Sequence, residues 1–225
     1  MQKNIPKDVK TYAYVLRRTN YGEADRILNL ITPEGKVSAI AKGVRKSKSK
    51  LAGSVEMFTL FEANLHFGKT ELAVLTGARM IRFYKNIVGD YARMEAGSEI
   101  LKEINRRAEH VDNPELFEIL DKCLLGLDLG YPIDLVYAWF YLNLARTMGE
   151  QLNLYSDTSG IKLEEDKKYV WDGLEMAFRV DESGEFDADA IKVLRLMLAA
   201  DLAVIFRIKN IEKYLPEILK IAKSL

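Results

Sequence analysis

Five cations crowd into nine residues in Lys42-Gly43-Val44-Arg45-Lys46-Ser47-Lys48-Ser49-Lys50. Ammonium and guanidinium groups at this density neutralise phosphates and release the counterions condensed on a nucleic acid. Five such contacts to a single strand imply a log–log salt slope of about −3.5. Arg17, Arg18, Arg26 and Lys36 lie close by in sequence and extend the possible track. A single-strand binder also needs flat rings on which bases stack. Tyr12, Tyr14, Tyr21, Phe58 and His66 are the rings of this region. Most of them read as core, which leaves Tyr21, in a turn, and His66, on the polar face of its segment, as the stacking candidates.

The chain as a whole is neutral, with 33 Lys and Arg against 33 Asp and Glu, but the charge is divided. Residues 1–90 hold 16 cations against 8 anions, and the remaining 135 hold 17 against 25. A basic N-terminal part and an acidic remainder predict two domains with different partners. Hydrophobic residues at 48% and charged residues at 29% are those of a globular protein. The most apolar stretch, 196–208, is broken by Asp201 and falls short of the roughly 20 apolar residues of a membrane span. The first ten residues carry no apolar leader segment, so a cytosolic location is expected. One cysteine, Cys123, excludes an internal disulfide, and it reads as core. His66 and His110 are too few for a metal cluster, so no metal and no cofactor are expected.

These residues must be positioned by a small β-rich domain. From Thr11 to about Tyr84 the periodicity is near two and turn signals recur at short spacing. The pattern predicts strands over 11–18, 25–32, 36–42, 54–67 and 70–76. Phe61, Ala63, Leu65 and Phe67 fall on one face of the fourth, and Glu62, Asn64 and His66 on the other. Five short strands that leave no exposed edge close into a Greek-key barrel, the OB-fold, and the basic loop 43–53 replaces its usual helix. From about Asp90 the period becomes 3.6, which predicts helices over 90–109, 114–127, 133–150, 187–208 and 211–223. Residues 153–186 interrupt them with turn signals and a candidate hairpin over 169–180. The expected class is therefore α+β and multi-domain: an OB-fold barrel over 1–84, then a helical domain over 85–225 with an irregular insertion at 153–186.

Catalytic motifs are absent. Gly68-Lys69-Thr70 imitates the end of a phosphate-binding loop, but the required earlier glycine is Ala63. No Gly-x-Ser-x-Gly elbow or His-Glu-x-x-His pair occurs, and Glu164-Glu165-Asp166 reads as a solvated charged run. No catalytic residue is assigned, and no enzyme is expected.

Thr11–Tyr84 resembles the N-terminal domain of the bacterial DNA repair and recombination protein RecO family. The resemblance rests on Val15-Leu16-Arg17-Arg18, Tyr21-Gly22-Glu23-Ala24-Asp25-Arg26-Ile27, Gly35 through Lys46, and Phe58-Thr59-Leu60 followed by Glu62-Ala63-Asn64-Leu65. It implies a recombination mediator that binds single- and double-stranded DNA and anneals complementary strands. It also implies contact with the C-terminal tail of the single-stranded-DNA-binding protein and with RecR, and through them help in loading RecA, in the cytoplasm at the nucleoid. For an acidic, apolar tail, Arg106, Arg107, Lys122 and Arg146 are the cations in view. Many members carry a four-cysteine zinc element in the helical domain, and 153–186 of this chain holds none of those cysteines. Two other readings stay open: an adaptor whose basic loop grips an acidic protein, and a barrel that prefers RNA.

Overall fold

The computed structural model describes residues 7–70, 72–108 and 113–225, which form two compact units dividing between Asp128 and Leu129. His110 and position 71 of the expected fifth strand lie outside the described residues, as do the first six positions. Among the described residues no helix is long and apolar enough to cross a membrane.

The first unit opens with five strands: β1 (Asp8–Tyr21), β2 (Asp25–Thr32), β3 (Gly35–Ala41), β4 (Thr59–His66) and β5 (Ala73–Phe83). They close into a barrel in the order β1-β2-β3-β5-β4, with β3 parallel to β5 and the other pairs antiparallel. This is the OB-fold, and with the helices that follow it makes the chain α+β. β1 is long enough to pair with β4 from Asp8 to Ala13 and with β2 from Tyr14 to Tyr21, and a bulge between Val15 and Arg17 interrupts the second pairing. Alternation supplies the core. Phe61, Ala63 and Leu65 of β4 point inward beside Ala13, Val15, Leu28, Leu30, Ala39 and Leu75, all at most 2% exposed.

β1 runs three residues further at each end than the expected 11–18, and the two largest departures from expectation are the start of β4 and the end of β5. β4 begins at Thr59 rather than 54, because Phe58 takes a left-handed φ of 57° that ends any extended run. β5 continues past 76 to Phe83, pairing Thr59 with Phe83 although Met80, Ile81 and Phe83 are exposed and show no alternation. Helices α1 (Lys85–Val88), α2 (Tyr91–Arg107) and α3 (Glu115–Leu129) follow, the last starting within the first unit. Asp90 caps α2, accepting from the Arg93 amide at 3.1 Å. The Phe58 ring lies so close to α2 that a Cβ at Gly97 would come within 2.7 Å of it. Cys123 is buried in α3, and burial pushes its thiol pKa up.

In the second unit, α4 (Ile133–Thr147) is followed by β6 (Asn153–Asp157), β7 (Tyr169–Asp172) and β8 (Ala177–Val180), then α5 (Ala188–Ala199), α6 (Leu202–Ile205) and α7 (Leu215–Ser224). The helix expected over 187–208 is two. The indole of Trp139 donates to the Ala200 carbonyl at 3.0 Å and Asn143 donates to that of Met197 at 3.0 Å, so α4 satisfies the end of α5. Asp201 then caps α6 through the Ala203 amide.

The hairpin expected over 169–180 forms as β7 and β8, and β6 adds a parallel strand to make the order β6-β8-β7. Its core is aromatic. Phe178 contacts Trp171, Phe186 and Tyr169 with ring centroids 5.2, 5.3 and 6.2 Å apart. The donor set here does not fit a zinc element: the chain's single cysteine is in α3, and among the described residues no three His, Cys, Asp or Glu side chains gather to hold a metal.

Candidate nucleic-acid interface

The connection from β3 to β4 is a series of turns without a helix, and its anchors are apolar. Val44 and Val55 are 2% and 0% exposed, while Leu51 and Met57 pack against the barrel core. At its start Gly43 takes a φ of 64°, a conformation that favours glycine, and its amide donates to the Asp25 carboxylate at 2.7 Å. The Arg45 amide donates to the Ala24 carbonyl at 2.9 Å, tying the loop to the β1–β2 turn. With Val44 turned inward, the polar neighbours must turn outward. Lys42, Arg45, Lys46, Lys48 and Lys50 are all exposed, and among the described residues none of them has an ion-pair partner. Arg45 also donates to the Gly22 carbonyl at 3.3 Å, which brings it beside Tyr21, itself 55% exposed.

The strand cations are placed differently. Arg17 is exposed on β1. Arg18 and Arg26 both pair with one carboxylate, Glu56: Arg18 on Oε2, and Arg26 on Oε1 at 3.3 Å. Lys36 donates to the carbonyl of Asn105 at 3.1 Å, in the last turn of α2. Six residues separate Lys36 from Lys42, a span of about 20 Å along a strand. The structure therefore gathers the five loop cations in one connection, sets Arg45 beside Tyr21, adds Arg18 and Arg26 through Glu56, and holds Lys36 apart.

Of the rings, Tyr14 and Phe58 are core, and Tyr12 is 48% exposed where a strand aromatic was expected to be buried. His66 is half-buried, and its Nδ1 lies 2.8 Å from the Asp8 carboxylate. Two exposed rings escaped the sequence reading. Phe83 and Tyr91 line a groove of about 590 Å³ with Met57, Phe58, Val88 and Met94, beside Arg18 and Glu56. Phe83 was hidden because β5 was expected to end seven residues earlier. Glu56 was hidden because nothing local marks its partners, 30 and 38 residues away.

The face of the barrel opposite in character is polar but satisfied. The Tyr14 hydroxyl donates to Asp121 of α3, and the Tyr84 hydroxyl lies 2.7 Å from that of Tyr14. Burial first, and the neighbouring Tyr84 and Asp121 next, hold the Tyr14 phenol protonated far above its usual range. Elsewhere on the barrel, hydrogen bonds from Arg79 and then Lys10 hold the Glu62 carboxyl below the usual carboxylate value.

A closed five-stranded barrel whose exposed basic loop has no ion-pair partner among the described residues, followed by helices, defines an OB-fold protein with a cationic surface. Family models give the class a name. Residues 6–84 match Recombination protein O N terminal, and residues 91–224 match Recombination protein O C terminal. The chain belongs to this family, which places it among DNA repair and recombination proteins. It is 30% identical to a DNA repair protein RecO of Dehalococcoides mccartyi, over 95% of this chain and 87% of that relative. DNA repair proteins RecO of an Anaeromyxobacter species and of Heliobacterium modesticaldum are 36% and 37% identical. Those two matches cover 63% and 62% of this chain and span 57% and 51% of the relatives' own length.

Proposed function

We propose that the chain is a non-enzymatic recombination mediator that binds single- and double-stranded DNA through the basic loop of its barrel and promotes annealing of complementary strands. The observation that carries this reading is the loop itself: five exposed cations with no ion-pair partner among the described residues, anchored by Val44 on an OB-fold barrel of a recombination family. Two DNA strands repel through their phosphates. A surface that neutralises both lowers that repulsion and raises their local concentration, which needs no bond-making chemistry. Arg45 and Tyr21 extend the site toward the β1–β2 turn, where an exposed ring can stack on a base while the loop holds the backbone.

In this reading residues 1–84 serve as the nucleic-acid-binding domain and 85–225 as the partner-facing domain. Its partners are the C-terminal tail of the single-stranded-DNA-binding protein and RecR, through which it helps to load RecA, in the cytoplasm at the nucleoid. Arg106, Arg107, Lys122 and Arg146 are the cations this reading assigns to an acidic tail, and Arg106 pairs with Glu103 at 2.6 Å.

The test is a fluorescence-anisotropy titration of a labelled oligonucleotide across a salt series. The native chain is compared with a variant carrying Lys42→Ala, Arg45→Ala, Lys46→Ala, Lys48→Ala and Lys50→Ala. Salt-sensitive binding that the variant loses supports the reading. Equal binding by both removes the loop from it, and preference for RNA over DNA of the same sequence replaces DNA as the ligand.

A further inference from the structure

We propose that Glu56 is an internal stand-in for a DNA phosphate: its carboxylate fills an anion site formed by Arg18 and Arg26, and a bound strand must displace it. The inference rests on the DNA-binding reading of the barrel and adds a second, masked phosphate site to the open loop.

The geometry is that of an anion held between two guanidinium groups. Arg18 stands on β1 and Arg26 on the neighbouring β2, and each takes one oxygen of the same carboxylate. The Asn20 side chain accepts from Arg26 Nε at 3.3 Å and helps to aim that guanidinium. Carboxylate and phosphate oxygens offer an arginine the same fork of acceptors, so a site that fits one fits the other. The cluster is also open to a competitor. The side chains of Arg18, Arg26 and Glu56 are 40%, 21% and 41% exposed.

Position connects this site to the loop. Arg26 pairs in register with Ala41, the residue before Lys42, and with Asn20 on the other side. Adjacent strands lie about 4.8 Å apart, so Arg26 and Arg18 stand one and two strands from the start of the basic loop. Glu56 belongs to the same β3–β4 connection as the basic residues, yet its own backbone is pinned, since Val55 and Phe58 on either side are buried. Release therefore requires only that the Glu56 side chain rotate outward. A strand already held by the loop presents its next phosphate at high effective concentration, whereas a free anion does not. The masked site thus favours a polyanion that has engaged the loop first.

The test measures anisotropy of a labelled single-stranded oligonucleotide with four proteins: native, Glu56→Gln, a triple variant (Glu56→Gln, Arg18→Ala, Arg26→Ala) and the five-cation loop variant. Glu56→Ser is made beside Glu56→Gln, and thermal melts establish which of the two is folded. Removing the carboxylate is expected to tighten binding about five-fold, the worth of two exposed ion pairs, and the triple variant is expected to lose the whole gain. Unchanged or weaker binding by the folded Glu56 variant overturns the proposal. So does a gain that persists in the triple variant, which would show that Arg18 and Arg26 are not the groups that take the phosphate. If the loop variant binds like the native chain while Glu56→Gln gains, the masked site stands and the loop reading falls. If the loop variant loses binding and Glu56→Gln gains nothing, the reverse holds. Absence of binding by all four overturns both.

Discussion

Two regions of one barrel use the same residue types to different ends. At the β3–β4 connection, five cations stand exposed with no counter-charge among the described residues. On the side that meets the first helices, charged and polar groups find partners on those helices: Lys36 the Asn105 carbonyl, and Tyr14 and Tyr84 the Asp121 carboxylate. Groups that are already satisfied hold a helix against a sheet, and they have little left to offer a ligand. Unsatisfied groups contribute almost nothing to the fold and keep their whole electrostatic potential for a partner. The comparison predicts that substitutions in the loop change binding without changing stability, and that substitutions on the helix-bound side do the opposite.

The largest expected effect tests the first half. Native affinity for a single strand should fall about a hundred-fold between 50 and 200 mM salt if five phosphates are contacted. The variant with all five loop cations changed to alanine should lose that dependence together with most of its affinity, yet melt at the native temperature. A variant that binds weakly because it has unfolded would break the comparison, since the loop would then be holding the barrel together.

How much of this was readable in the chain follows the range of the interactions involved. The barrel and its inward face were legible because alternation in Phe61, Ala63 and Leu65 is a local signal. The basic loop was legible because its charges are consecutive. The start of β4 was not: Val55 and Met57 alternate like a strand, and only the left-handed turn at Phe58, fitted against Gly97 of α2, shows that they belong to the loop. The partners of Arg18, Arg26 and Lys36 were equally hidden, because each lies 30 or more residues away. Sequence shows where cations are dense. It does not show which of them the fold has already used: Arg18 and Arg26 are held by Glu56, and Lys36 and Arg45 each donate to a backbone carbonyl. The parallel pairing of β6 with β8 escaped for the same reason, since a local pattern reports a hairpin and not a third strand brought in from 20 residues away.

The second half of the comparison is sharpened by Tyr14→Phe. The hydroxyl is buried between Tyr84 and Asp121, so its removal leaves a carboxylate short of a donor and should cost about 1–3 kcal/mol of stability, read by denaturant unfolding. A pH series adds a sign. Burial raises the folded-state pKa of Tyr14 above its ordinary value of 10.0, so its contribution is complete below pH 10. It is lost as the pH climbs above that value, because the unfolded chain ionises there while the folded chain must keep the proton. The native protein should therefore lose stability in alkali more steeply than Tyr14→Phe, and both should bind DNA alike at neutral pH.

Tyr21 tests the border between the two regions. It stands at the end of β1 beside Arg45, and its exposed side chain has no hydrogen-bond partner among the described residues. Tyr21→Ala should leave the melting temperature unchanged and weaken single-strand binding by about 1 kcal/mol, the lower end for one stacked base. The salt slope should stay at the native value, because a ring releases no counterions. A reduced slope would show that the substitution had disturbed Arg45 instead.

The smallest expected effect is the most discriminating. Lys36 is a cation of the same barrel, and a count of charges would treat it as equal to Lys42. Its ammonium is instead placed on a carbonyl in the last turn of α2, where the helix end is negative. Lys36→Ala should lower stability by about 0.5 kcal/mol and leave both the affinity for DNA and its salt slope at native values. Lys42→Ala should do the converse, reducing the slope by about 0.7 with no change in melting. Equal losses of slope from the two substitutions would mean that the barrel presents charge to DNA around its whole circumference, and that matching a cation to a helix end does not withdraw it from the partner.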